Sequence, residues 1–393
     1  MGRFHPLQPA YLSDPYPYLA RLRCKEPVLY SPDLQGYVLT RYADCADVLR
    51  DDVHFSSDPA LESGGMGVSA RTARERAALG TAPILANSDG GVHSEQRALL
   101  AEAFRTRAAL DRRESVQDLV GTLVADIPAG KPVDFMRELA EPLSILTLLD
   151  LLGIAPEARD AFRRGVVGVM RGRLEGDRDE RAVEDSYHAA AELQDVVASA
   201  RTGVVEHLTA CVAAHEVRQD EMLMLLVHIA TAGNAATAFA IGSALHSFAL
   251  NPEAWDLLRS DPSLLTSAVE ECLRFDSPTH LTTRFAREAA EVAGRHIPAG
   301  RAVYAVISSA NRDPEAFPNP DSFDIARKPG RHLAFGGGPH FCLGASLARL
   351  EMDVTLGVLS QKFARLELAE GGFEAAGTLF LRGPRRLVMT GRE

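Results

Sequence analysis

The segment FGGGPHFCLGASLARLE carries the strongest chemical signal in the chain. Phe335, Gly338, His340, Cys342 and Gly344 stand in an FxxGxHxCxG array immediately before a helical run. A thiolate at a helix start is a strong metal ligand, and the helix N-terminus with the N–H groups of a Gly-rich loop supplies the positive surroundings it needs. Glycines such as Gly336 and Gly344 let such a loop turn sharply and approach a ligand closely. The other cysteines, Cys24, Cys45, Cys211 and Cys272, bring the total to five, widely spaced and without a CxxC pair. That count argues against a disulfide framework or a zinc site. A lone cysteine ordinarily reads as buried and structural; a single ligand cysteine is the other reading of Cys342.

Two charged pairs come next. Glu271 and Arg274 form an ExxR about 70 residues before Cys342; as a bare i,i+3 pair it would contribute only ~0.2–0.5 kcal/mol. His93 and Arg97 form an HxxxR whose i,i+4 spacing puts both side chains on one helical face. A solvated face is the plainer reading of that pair.

The elements that must position these residues are mostly helical. Residues 14–50 mix helices (PYPYLARLR, ADCADVLRDD) with strand-like EPVLYSP and GYVLTRY. From about 93 to 280, Ala, Leu, Glu and Arg recur with helical spacing, including the long apolar run EMLMLLVHIATAGNAATAFAIGSALHSFAL. Residues 61–91 read as a long loop of the kind that is usually functional; its Arg71, Arg74 and Arg76 read as a solvated turn or, alternatively, an anion-attracting cluster. Beyond 281 come strand-like pieces, a Pro-rich run, the Cys342 loop, a final helix (ASLARLEMDVTLGVLSQKF) and a hairpin (GTLFLRGPRRLVMTG). The fold class expected is mainly α, a helical bulk with a small β-rich subregion. No linker or repeat divides residues 1–393, so one domain is expected.

Composition excludes several classes. At 46% hydrophobic and 24% charged the chain can bury a large core. A formal charge of -11 without clustered Lys/Arg argues against a nucleic-acid partner. The first residues hold no apolar stretch long enough for a signal peptide or anchor, so a cytoplasmic, membrane-free, monomeric protein is expected.

Taken together, the Cys342 array, the ExxR and the HxxxR resemble the cytochrome P-450 superfamily, in its bacterial soluble form, over nearly the whole chain. The resemblance implies the helical P-450 fold and haem b as cofactor, with Cys342 as the iron ligand, pushing electron density toward bound O₂ to favour O–O cleavage. It implies that Phe335 and Gly336 pack against the haem, that His93, Arg97, Arg284 and His340 hold its propionates, and that Glu271 and Arg274 form a buried structural pair. The family often completes that pair with an Arg where this chain has Ser322; Arg312 or a backbone group is the expected substitute. It further implies a ferredoxin or flavoprotein electron donor, since the chain has no flavin-binding or iron–sulfur pattern of its own. Arg105, Arg107, Arg112, Arg113, Arg331 and Arg349 would form a basic patch for that donor.

The same resemblance exposes a departure. The family's central helix commonly reads (A/G)-G-x-(D/E)-T-(T/S). Aligned on Ala232 and Gly233, the x is Asn234, the acid is Ala235, the alcohol is Ala236, and Thr237 follows. Heterolytic O–O cleavage consumes two protons, and a methyl group can neither donate one nor order a water. Four routes stay open: a substrate hydroxyl or amine orders the water; Thr237 or Asn234 reaches the site through a bulged helix; hydrogen peroxide is the oxidant; or the chain handles nitric oxide. The function expected is a haem-thiolate monooxygenase acting on a small organic substrate in bacterial secondary-metabolite biosynthesis. The other class is a non-catalytic haem-binding accessory homologue. The substrate pocket is expected to include Thr279, His280, Leu281 and Phe380, and to favour a neutral or aromatic molecule.

Overall fold

The computed structural model describes residues 4–62, 85–175, 180–200 and 202–393. Most of the 61–91 loop, with Arg71, Arg74 and Arg76, lies outside the described residues.

The organising element is the 32-residue helix Gln219–Leu250, about 48 Å long at ~1.5 Å per residue. Asp220 and Glu221 load its first turn with negative charge, and the Glu221 carboxylate accepts the Arg218 N–H at 3.2 Å, closing its N-terminus. It ends at Asn251, because Pro252 opens the next helix, Pro252–Ser260. By length and composition this helix could cross a membrane, but 61% of its apolar window is buried inside the fold. It is therefore a core helix. Two apolar clusters flank it: Val227, Ile229 and Ala230 pack with the helices Glu141–Leu152 and Glu180–Ser199, while Ile241, Leu245 and Phe248 pack with Leu265–Phe275 and Ala345–Lys362. Gly233 lets one of these helices come close, since a Cβ there would lie 3.3 Å from Leu148 Cδ1.

The β structure is subordinate and positions Arg284. A five-stranded sheet runs β1 (Val28–Ser31), β2 (Gly36–Leu39), β8 (Ala302–Ala305), β5 (Thr282–Ala286), β3 (Phe55–Ser56). Its β2–β8 pair is parallel and the rest antiparallel. Arg284 sits opposite Val303 in the β5–β8 ladder. β4 (Pro132–Asp134), β9 (Arg365–Gly377) and β10 (Arg382–Arg392) form a second sheet, and β6 (Ala290–Val292) with β7 (Arg295–Ile297) a small hairpin. The C-terminal hairpin expected from GTLFLRGPRRLVMTG is longer than its sequence suggested, because β9 begins at Arg365 directly after the last helix.

The ExxR pair is buried as expected, and its third member is different. Both Arg274 nitrogens Nε and NH2 bind Glu271, at 2.7 and 2.8 Å, and Arg274 also donates to the carbonyls of Asn311, Pro320 and Ser322. The remaining cation on Glu271 is Arg327, with Nε 3.1 Å from Oε2. Arg312 instead binds the Phe275 carbonyl and Asp321. Ser322 contributes its carbonyl, so the place of the absent arginine is taken from five residues downstream.

Candidate active site

The Cys342 loop is shaped by backbone conformations open to glycine. Gly336 (φ 72°) and Gly338 (φ 65°) are left-handed, and a Cβ on Gly338 would lie 2.4 Å from the Leu49 carbonyl, so the loop rests against the helix Tyr42–Arg50. The Cys342 N–H donates to the Phe335 carbonyl at 2.9 Å, folding the loop back on itself before the helix Ala345–Lys362. Gly344 sits at that helix's N-cap, and a Cβ added there would meet nothing within 4 Å.

Cys342 is accessible, although desolvation is the largest influence on its thiol and pushes its pKa up. The Gly344 backbone, Arg97 and Arg349 pull the other way. Burial outweighs these groups, so the helix start does not by itself keep Cys342 ionised. A bound metal would, because a coordinating thiol is deprotonated outright.

The central helix opens onto accessible space in its middle. Ala232 is exposed, and His228, Ala235, Ala236 and Phe239 are half-buried. At about 100° per residue these five lie within roughly 60° of Ala232 on one face. Asn234 and Thr237 lie about 160° and 140° round the helix from Ala232 on the same rotation. Thr237 is buried and its hydroxyl donates to the Gly233 carbonyl at 3.1 Å. Ser144 donates to the Asn234 carbonyl at 2.7 Å. The helix is continuous from Gln219 to Leu250, so the bulge that would turn Asn234 or Thr237 toward the accessible face is not present.

The four cationic residues expected at one place are gathered there. His93 and His340 have ring centroids 4.0 Å apart. Arg284 is buried and donates to the neighbouring Thr283 carbonyl at 2.9 Å. Burial lowers its pKa to about 10, with Asp89 opposing. Arg97 donates to the Phe341 carbonyl at 2.7 Å, next to Cys342. Burial, then Arg284 and His93, push His340 down to about 4 against Asp89. Burial and Arg97 also lower His93, whose Nε2 is buried with no hydrogen-bond partner among the described residues.

Asp89 was not singled out from the sequence. It accepts from Ser56, from the Ser57 N–H at 3.1 Å and from Arg287 at 2.8 Å, and lies 3.4 Å from His340 Nε2. Its spacing of four residues before His93 was the available signal.

Two groups of expectations are corrected. His280 is fully buried, with Nε2 2.9 Å from the Tyr11 hydroxyl and Nδ1 2.6 Å from the Ser308 hydroxyl, and Leu281 is buried in the apolar cluster around Phe4 and Tyr11. Neither can line a pocket, because both side chains are consumed in packing the N-terminal segment. Thr279 and Phe380 remain partly accessible. The expected basic patch is also largely neutralised: Arg105 pairs with Glu102, Arg107 with Asp111, Arg112 with Asp150, Arg113 with Asp353 and Arg349 with Glu270.

The sequence and fold both have close counterparts. The Cytochrome P450 family profile matches residues 192–373. The chain is 34% identical over 383 residues to nocardicin C N-oxygenase of Nocardia uniformis subsp. tsuyamanensis, covering 93% of this chain and 92% of that one. It is 32% identical over 391 residues to vitamin D(3) 25-hydroxylase of Pseudonocardia autotrophica, covering 97% and 94%. Among solved structures, epothilone D-bound cytochrome P450epoK matches with a TM-score of 0.89 at 28% identity over 100% of both chains. P450BioI bound to an acyl-loaded carrier protein matches with a TM-score of 0.87 at 26% identity, over 98% of this chain and 100% of that one. Cytochromes P450 bind haem b, and the residues here fit that group. The Cys342 thiol is accessible, the buried Arg284 guanidinium binds no carboxylate among the described residues, and the Nε2 of His93, without a hydrogen-bond partner among those residues, lies on a ring whose centroid is 4.0 Å from that of His340. The chain belongs to the cytochrome P450 family.

Proposed function

We propose that this chain is a single haem-thiolate monooxygenase domain acting on a small organic molecule in bacterial secondary metabolism, and that a hydroxyl or amine of the substrate does the work of the absent acid and alcohol. Cys342 would ligate the iron, and Arg284, His93, Arg97 and His340 would hold the two propionates. When bound, the haem supplies the activation of dioxygen. The rest falls to the protein. The face formed by Ala232, Ala235, Ala236 and Phe239, with His228 one turn before Ala232, shapes a largely apolar wall that excludes water and orients the substrate.

The observation that carries the proposal is the composition of that wall. Ala235 and Ala236 face the accessible space and offer no proton, while the nearest alcohol, Thr237, has its hydrogen committed to the Gly233 carbonyl. Nocardicin C N-oxygenase and epothilone C/D epoxidase of Sorangium cellulosum, the latter 31% identical over 384 residues, support the metabolic setting.

The test is a titration of the ferric holoenzyme with matched pairs of small molecules, each with and without a hydroxyl or amine, followed by the spin-state change of the haem spectrum. Oxygen-supported turnover with an external electron donor is then measured for each binder. Tight coupling of oxygen use to product confined to the hydroxyl- or amine-bearing partner is the expected result. Equal coupling with the partner that lacks the group would remove the substrate from the proton path, and efficient peroxide-driven turnover with both would put peroxide in its place.

A further inference from the structure

Glu270 and Glu271 are adjacent on the helix Leu265–Phe275, and each is the hub of a separate charge network. Glu271 closes on Arg274 and Arg327. Glu270 closes on the Cys342 loop. The Arg349 guanidinium, from the helix that follows the loop, binds Glu270 in a fork, with Nε 2.6 Å from Oε1 and NH2 3.0 Å from Oε2. His332 Nε2 lies 3.3 Å from Glu270 Oε2. The Ala334 N–H donates to His332 Nδ1 at 3.2 Å, so in the neutral ring the proton is on Nε2, which lies close to Glu270 but makes no aligned hydrogen bond among the described residues.

This network ends on the ligand loop itself. The Arg349 guanidinium lies over the Phe335 ring, 4.4 Å from its centroid, and the Phe335 carbonyl accepts the Cys342 N–H. Glu270 keeps its charge well into acid: burial raises its pKa, but His332 and Arg349 outweigh that and bring it down to about 2. A forked, planar cation fixed between a carboxylate and an aromatic face has little freedom.

We propose that Glu270 and Arg349 are positioning residues: together they fix Phe335 over the Cys342 loop and set the charge felt by the thiolate and its metal. This rests on the haem-thiolate reading above. The pair is a dipole, Arg349 toward the loop and Glu270 behind it. Removing each end should therefore move the metal's reduction potential in opposite directions.

The experiment uses the haem-loaded protein and the variants E270Q, R349A, R349K and E270Q/R349A. Reduction potentials come from dye-equilibrated titrations, and the thiolate from the ferrous–carbonyl absorption band that gives the family its name. Losing the cation in R349A should favour the ferric state, by about tenfold or about 59 mV for one electron. Losing the anion in E270Q should favour the ferrous state. The double variant should fall between them, and R349K should recover most of the charge effect while its carbonyl band decays faster to the thiol-ligated form. Shifts of the same sign in both single variants, or unchanged potentials with only a lowered melting temperature, would overturn the proposal by reducing the pair to packing. E270Q is nearly isosteric, so it keeps the test open if R349A folds poorly. A wild-type protein without the thiolate band would instead overturn the haem-thiolate reading itself, and the brace with it.

Discussion

The Thr237 hydroxyl donates to the carbonyl of Gly233, one turn back in the same helix, at 3.1 Å. That bond keeps the single alcohol beside Ala236 on the far side of the central helix from Ala232. An i−4 back-bond of this kind is local, and here the helix stays continuous through it. Thr237→Val should therefore change substrate binding and oxygen use by no more than about twofold, within the usual range for a substitution that removes no special feature. Ala236→Thr should lower the peroxide released per oxygen consumed when the substrate lacks its own hydroxyl or amine. Both are read from oxygen uptake and peroxide release; a large effect of Thr237→Val would show that this hydroxyl does reach the reacting oxygen.

Glu271 is the busier of the two adjacent acids, taking Arg274, Arg327 and the Asp324 N–H. Glu271 and Arg274 are both almost fully enclosed, at 1% and 2% side-chain exposure. Removing one partner of so buried a pair strands the other, at a cost of about 3–5 kcal/mol. Glu271→Ala should thus unfold the protein or cut its urea stability by that amount. Arg327→Ala leaves Glu271 with Arg274 and should cost about 1.5–3 kcal/mol, the worth of a charged hydrogen bond. Equal losses in the two variants would mean that Arg327 and Arg274 act as one unit.

What could be read from the chain beforehand was what is local. The Cys342 array, the HxxxR and the ExxR each act through residues a few positions apart, and the helices around them follow from apolar spacing. Contacts made across the fold were hidden. Arg327 reaches Glu271 from 56 positions away, and Arg349 reaches Glu270 from 79. No local pattern marks either arginine. Sequence adjacency also misled: Asn234 and Thr237 neighbour Ala235 and Ala236 in the chain, yet helical rotation turns them away. His280 and Leu281 sit in the expected segment, but the bridge of Thr279 to Leu381 and the turn into β5 direct them toward the N-terminal residues.

His280 should make the protein acid-sensitive. Burial pushes its pKa down to about 3, Arg382 adding to the effect and Asp276 opposing it. In the unfolded chain the ring titrates near 6.5, roughly the ordinary value. Between those limits the unfolded chain takes up a proton that the folded one refuses. Stability is therefore full above about pH 6.5 and falls as pH drops toward 3, with a slope of up to ~1.4 kcal/mol per pH unit from this group. Urea unfolding at several pH values checks it. His280→Gln, which keeps an amide for Tyr11 and Ser308, should flatten the slope by about one proton; an unchanged slope would assign the acid sensitivity elsewhere.

Arg284 ties cofactor retention to stability with opposite signs in the two states. Its guanidinium is enclosed, donates to the Thr283 carbonyl, and has its pKa lowered to about 10 by burial. An enclosed cation lacking a bound anion is costly, and replacing a buried ion by an apolar group of similar size is often stabilising, by about 1–4 kcal/mol for pairs. Arg284→Met should accordingly raise the melting temperature of the haem-free protein. In the loaded protein the same change removes a charge-assisted bond worth about 1.5–3 kcal/mol, so haem should leave roughly 10–100-fold faster. Haem loss is followed by transfer to a scavenging apoprotein, and the melt by circular dichroism. A variant that melts lower in both states would make Arg284 a structural residue of β5, and one that keeps its haem as tightly as the parent would take it out of propionate binding.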